Sequence, residues 1–251
     1  MSLTSSQAFN RTSTVSKLID ARAEIAPQNI AVIDRGEIWT CAELATESRR
    51  LAGGLLNLGI GSGDRVGFWL PNIAQYLALH IACARIGAIT ISINTRFRSS
   101  EVGDIVERSG CRALVLWPSF KDIAFLDILA EVDNTQLEQL EFLITYSEGE
   151  QETQLPGRLF SRPTVSYSDL AMSKMFTSDS ATAQSGVVVF TTSGTTAAPK
   201  FVLHSQASIS HHAHDVASFF GWNVPNTVLL QVLPLCGTFG HAGAMAALSV
   251  G

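Results

Sequence analysis

Charge is scarce in this chain: 16% of its 251 residues are Asp, Glu, Lys or Arg, and the formal balance is −5. No cluster of Lys and Arg concentrates positive potential anywhere along it, which excludes nucleic acid as a partner on electrostatic grounds. Cysteine is scarce too. Cys41, Cys83, Cys111 and Cys236 are scattered without a C-x-x-C pair, so neither a disulfide framework nor a zinc site is indicated, and a reducing, cytoplasmic setting fits best. No uninterrupted apolar stretch approaches the ~18 residues that a membrane span needs. The segment from Met1 to Lys17, rich in Ser and Thr with Arg11 and Lys17 as its charges, lacks the apolar core of a secretory signal and reads as a flexible lead-in. A Walker A loop is also missing, because one glycine precedes Lys200 and Phe201 follows it where that loop needs Ser or Thr.

What remains is an ordinary globular composition, 46% hydrophobic, enough for one large or two modest domains. From Arg65 onward, short aliphatic runs alternate with helix-length segments. Strands are expected at Arg65–Trp69, Ile89–Ile93, Ala113–Leu116 and Phe142–Tyr146, with helices at Ile73–Ile86, Ser99–Ser109 and Asp122–Ala130. That alternation predicts βαβ units in mostly parallel, layered sheets with helices on both faces, an α/β fold. Asn72 is the expected cap of the first of these helices, and Ser99 or Ser100, near Glu101, of the next. Upstream, Ile30–Asp34 and Ile38–Thr40 flank Arg35-Gly36-Glu37 as a short hairpin, and Ala42–Leu58 carries leucines at helical spacing. Polar and turn residues dominate from Ser147 to Ser185, with one short helix near Ser168–Met175, so this span marks the expected boundary between a region 1–185 and a region 186–251.

The densest chemistry follows directly. The apolar run Gly186–Phe190 leads into Thr191-Thr192-Ser193-Gly194-Thr195-Thr196-Ala197-Ala198-Pro199-Lys200. A buried strand ending in such a turn aims backbone N–H and hydroxyl donors at one point, and the lysine adds a full positive charge, a combination suited to phosphate. The segment resembles the signature of the adenylate-forming, or AMP-binding, acyl-CoA synthetases, approximately [YF]-T-S-G-T-T-G-x-P-K-G. Ala197 and Phe201 stand where that family usually has glycine. Further segments agree in order: Trp39–Leu44 with T-Y-x-E-L, Gly63-Asp64-Arg65-Val66 and Leu70-Pro71-Asn72 with G-D-R-V…P-N, and Gly87-Ala88-Ile89 with Asn94-Thr95-Arg96. The residues in these front motifs are plausible turn formers and are expected to shape the fold rather than touch ligand.

The resemblance implies the large domain of an adenylate-forming enzyme and an ATP-dependent carboxylic acid:CoA ligase, with ATP, Mg²⁺ and coenzyme A and a fatty or aromatic acid as substrate. Thr192, Ser193, Gly194, Thr195 and Thr196 would supply donors to the phosphates and Lys200 the catalytic charge, while Leu233–Gly240 resembles the acyl-pocket segment, with Phe239 and Gly240 the substrate-binding matches. Gly237 stands where many relatives carry histidine. The later motifs of that family would lie beyond Gly251, and the apolar run Ala242–Gly251 ends without a polar tail, so the chain is expected to be an amino-terminal fragment that is inactive alone. Two other readings stay open, an adenylation domain loading a carrier-protein thiol and a non-catalytic nucleotide-binding module, as does assembly into a homodimer. Cys236 has no specified base and reads as a small buried thiol. His211 and Asp215 are spaced to share a helix face, but with no identifiable third ligand His211, His212 and His214 read as solvated helix histidines rather than a metal site. His204 and Gln206, at positions where relatives also carry histidine, read as packing or loop-fixing residues.

Overall fold

A computed structural model describes residues 14–118, 120–121, 123–148, 155–192 and 199–251. Among the described residues the helix α1 (Val15–Ile25) comes first and a hairpin of β1 (Ile30–Asp34) and β2 (Glu37–Thr40) follows. Its two-residue turn holds Arg35 at φ 49° and Gly36 at φ 90°, the left-handed pair that matches the twist of the flanking strands. Next come α2 (Cys41–Asn57), β3 (Arg65–Trp69), α3 (Ala74–Ile86), β4 (Ile89–Ser92), α4 (Ser99–Ser109), β5 (Ala113–Leu116), α5 (Phe125–Ala130) and β6 (Phe142–Thr145). The chain continues through β7 (Arg158–Leu159), β8 (Arg162–Ser166), α6 (Tyr167–Ala171), β9 (Gly186–Thr192), β10 (Lys200–Ser205), α7 (Gln206–Phe219) and α8 (Thr238–Val250).

Among the described residues eight strands form one sheet in the order β10-β9-β4-β3-β5-β6-β8-β7. The six inner strands run parallel and the two outer pairs, β10/β9 and β7/β8, are antiparallel. Side chains alternate between the faces with the period of two that a pleated strand imposes. Val66, Phe68, Ala113 and Val115 enter one core with α1, α2, α3, α7 and α8, whereas Trp69, Leu114 and Leu116 enter the other with α4 and α5. Because β3 to β4 and β4 to β5 step in opposite directions across the sheet, right-handed crossovers put α3 and α4 on opposite faces.

The helix α3 is apolar nearly all round, and every one of its residues is buried. Its three long polar side chains include Arg85, fully buried, whose guanidinium meets Asp20 of α1 at 2.6 and 2.9 Å, Asp179 at 3.3 Å and the Ser48 hydroxyl of α2 at 3.0 Å. Gln206 ties three elements together. Its carbonyl oxygen accepts from the backbone N–H of Val15 at 2.9 Å, and its amide donates to the Ala84 carbonyl of α3 at 2.9 Å.

Several sequence expectations are corrected. Residues 1–13 lie outside the described residues, but the expected lead-in overlaps α1, where Val15 and Ser16 are buried. Asn72 does not cap α3; Asp34 of the hairpin takes that role, accepting from Ala74 N at 2.9 Å. At α4 the cap position is Arg98, whose N–H donates to the Glu101 carboxylate at 3.0 Å, and Ser99 is already helical. The polar span 147–185 contains β8, paired in parallel with β6. The boundary expected at 185/186 lies between α6 and β9, and β9 pairs with β4, so that expectation is neither corrected nor confirmed by the sheet.

Candidate functional site

The hydroxyl-rich segment joins the two strands of the β9/β10 hairpin. Thr192, the last residue of β9, is the cross-strand partner of Lys200, the first of β10, and both are exposed. Ser193, Gly194, Thr195 and Thr196, and with them Ala197, lie outside the described residues. Since β9 is parallel to β4, its end lies at the carboxyl edge of the sheet, the edge at which open α/β sheets bind ligands. Phe201 has a partner of its own: the Arg108 guanidinium of α4 sits 4.6 Å from its ring centre and donates to the Pro199 carbonyl at 3.0 Å. The exit of the loop is therefore held by a cation stacked on an aromatic face.

Behind the hairpin lies a cavity of about 290 Å³. Phe190 contributes part of its wall and is two residues from Thr192, so cavity and loop are separated by about 7 Å of extended chain. Ile209 of α7 and Met245 of α8 add apolar surface. Five polar side chains also reach it: His204, Ser208, His212, Thr238 and His241. Among the lining residues there is no carboxylate.

His241 has an unusual setting. It is buried, its Nε2 lies 3.0 Å from Nε2 of His80, and Nδ1 of His80 lies 3.0 Å from the Thr90 hydroxyl of β4. The rings of His80 and His241 meet edge-on with centres 4.7 Å apart. Burial pushes His80 down to about 4, and burial followed by the neighbouring His80 and His204 pushes His241 well below the ordinary range. Both are neutral imidazoles at physiological pH, each able to donate from one nitrogen and accept at the other. Neither residue belongs to a motif legible in the sequence. An imidazole inside a mostly apolar helix was the available signal, at His80 within Ala74–Ile86 and at His241 within Thr238–Val250.

The segment entering α8 is pinned by Asn72. Its side-chain amide donates to the carbonyls of Leu233 at 2.9 Å and Gln231 at 3.2 Å, and its oxygen accepts from Leu235 N at 2.8 Å. Neither residue expected at the acyl pocket lines the cavity. Phe239 is 84% exposed, and Gly240 packs so closely beneath the Pro234 carbonyl that a Cβ there would collide with it. The lining of α8 comes instead from Thr238, His241, Ala242 and Met245, the i, i+3, i+4, i+7 stripe. Burial raises the Cys236 thiol to about 11, which keeps it protonated and a poor nucleophile.

Of the α7 histidines His212 is exposed, whereas His211 and His214 are half-buried, so the expectation of solvated side chains holds for one of the three. Among the described residues no three His, Cys, Asp or Glu side chains converge as metal ligands. No helix among them is long and apolar enough to cross a membrane.

The family model described as "AMP-binding enzyme" matches residues 19–251. The chain belongs to the AMP-binding enzyme family. Among curated relatives of this AMP-binding chain, a medium-chain acyl-CoA ligase, ACSF2, mitochondrial, of Macaca fascicularis is 34% identical over 129 residues, 49% of this chain and 21% of the relative. Acyl-CoA ligase sidI of Aspergillus fumigatus is 36% identical over 104 residues, covering 41% of this chain and 18% of the relative. The chain also superposes on the anthranilate CoA ligase AuaEII in complex with anthranoyl-AMP with a TM-score of 0.75, covering 95% of this chain and 44% of that one. At 19% identity that likeness concerns the fold alone. The matched stretch thus spans about a fifth of the curated relatives and less than half of the AuaEII chain.

Proposed function

We propose that this chain is the phosphate- and acid-holding part of an ATP-dependent carboxylic acid:CoA ligase. The observation that carries the proposal is the β9/β10 hairpin, which sets Thr192 and Lys200 opposite one another at the carboxyl edge of the sheet, beside a cavity that can take an acyl group. The CoA ligases among the relatives support the choice of thiol.

The chemistry needed is electrostatic. Activating a carboxylate on ATP places growing negative charge on the departing pyrophosphate, and fixed donors with a nearby cation lower that barrier. Lys200 supplies the cation. Thr192 and the hydroxyls of Ser193, Thr195 and Thr196 supply donors, and Gly194 admits the phosphate oxygens close to the backbone. The carboxylate lies between this loop and the cavity, with its acyl chain against Phe190, Ile209 and Met245. Among the described residues no three His, Cys, Asp or Glu side chains converge that could hold a cation such as Mg²⁺ without the phosphates.

Calorimetric titration of the chain with ATP and AMP tests the proposal. Lys200→Ala is expected to weaken ATP by about ten-fold, the loss of one good charge-assisted phosphate contact, while leaving AMP within two- to three-fold. Equal ATP affinities for wild type and Lys200→Ala would take the hairpin out of phosphate binding and leave the chain without the ligase role.

A further inference from the structure

We infer that Asn72 is a positioning residue for the acid cavity: through the 231–235 segment it fixes where the first two turns of α8 stand, and so how tightly the cavity holds an acyl group. The word acid rests on the ligase reading; the positioning rests on hydrogen bonds alone.

One side chain here reaches across 159 to 163 positions of sequence. Its Nδ2 donates to the carbonyls of Gln231 and Leu233 while its Oδ1 accepts from Leu235 N, so a single amide holds alternate residues of one stretch. Two acceptors on one side and a donor on the other also fix which way that amide faces. The platform under it is firm. Leu70 and Ile73 to either side are buried, Pro71 restricts the backbone between them, and Asp34 satisfies Ala74 N, so that Asn72 has no competing role at the start of α3.

From this stretch to the cavity the path is short and stiff. Gln231 donates from its own amide to the Leu233 carbonyl at 2.6 Å and to the Gly240 carbonyl of α8 at 3.1 Å. Gly237, the residue before α8, donates to the Pro234 carbonyl at 3.0 Å. Gly240 lies against the Leu233 and Pro234 carbonyls with no room even for a Cβ. A displacement of 231–235 is therefore carried into Thr238–His241 rather than absorbed on the way. Thr238 and His241 line the cavity and Ala242 and Met245 continue the same stripe, whereas Asn72 does not line it. Because Asn72 is exposed, water can meet the groups freed when its amide is removed, and the loss falls more on direction than on stability.

Two variants of Asn72 and one control test the inference. Asn72→Asp keeps the size and the acceptor for Leu235 N but turns an oxygen towards two carbonyls, and Asn72→Ala removes all three bonds. Glu141→Ala breaks the pair with Arg112 where β5 and β6 begin, at the opposite edge of the sheet. Each chain is titrated by calorimetry with ATP and, in its presence, with octanoate, and the Met245 methyl and His241 imidazole resonances are recorded. Both Asn72 variants are expected to bind octanoate about ten-fold more weakly with ATP within two-fold of wild type, and to shift both cavity signals, because a misplaced wall loses contacts along its length. Glu141→Ala is expected to leave octanoate affinity and both signals unchanged. Wild-type octanoate affinity in Asn72→Asp overturns the inference, as do unmoved Met245 and His241 signals in both Asn72 variants or an equal loss of affinity in Glu141→Ala. A wild type that binds no octanoate, with the cavity signals still shifted by the Asn72 variants, refutes the ligase reading of the cavity and leaves the positioning role standing.

Discussion

The buried histidine pair makes acid instability a quantitative expectation. His80 is depressed by burial from the ordinary 6.5 to about 4, so between those values the unfolded chain binds a proton that the folded chain refuses. Stability is then full above pH 6.5 and is lost as the pH falls towards 4, because the state that binds more protons gains as protons become abundant. Integrating that difference from pH 7 to pH 5 gives a loss of about 2 kcal/mol from His80 alone. His241 and His214, both lowered primarily by burial, add in the same direction. Carboxylates held down by hydrogen bonds, such as Glu43, Asp133 and Glu141, contribute stability that disappears only as the pH falls through their own lower range. The interval from pH 7 to 5 therefore isolates the imidazoles. Urea unfolding at the two pH values measures the loss, and the His80→Leu/His241→Leu double variant is expected to retain only the smaller slope left by His214. Wild-type stability that is flat across this interval would refute the neutral, buried state of the pair.

Gly240→Ala is expected to destabilise the chain by about 2 kcal/mol, in the range for overpacking, because the new methyl meets the Pro234 carbonyl rather than a side chain that can move; urea unfolding checks it, and an unchanged midpoint would mean that the 231–240 segment adjusts freely. Arg85→Met should cost about 3 kcal/mol or more by leaving Asp20 and Asp179 without their buried cation. Adding Asp20→Asn and Asp179→Asn should recover part of that loss, and a triple variant no more stable than the single one would show that the guanidinium acts through packing alone.

The parallel core was legible because its strands are uniform aliphatic runs and its helices have clear lengths: β3, β4, β5 and α4 lie within a residue or so of expectation. Elements whose pattern is local were read, and those that depend on a distant partner were not. The strand β10 reads Lys-Phe-Val-Leu-His-Ser and alternates poorly, and pairing with β9 makes it a strand. The strand β8 sits in a polar span and owes its place to β6. Asn72 precedes a helix as a cap should, yet Asp34 of the hairpin satisfies that helix and frees Asn72 for the 231–235 segment. Thr192 and Lys200 were singled out by residue type, and the β9/β10 register sets them opposite one another. His80, Thr90 and His241 were not, since they are distant in sequence and only the crossing of α3, β4 and α8 joins them.

Gln206 also bears on the order in which the molecule can be completed during synthesis. The amide it holds belongs to Val15, 191 positions earlier, and the carbonyl it reaches belongs to Ala84, 122 positions earlier. The helix α1 leaves the ribosome long before residue 206 exists, and for that interval its first turn has water in place of its eventual partner. Closing so long a loop is slow compared with forming the intervening βα units, which need only neighbours already made. The nascent chain therefore passes through a stage in which the βα layers are assembled and α1 is still unlatched, so that α1, the first of the described helices in chain order, is among the last secured.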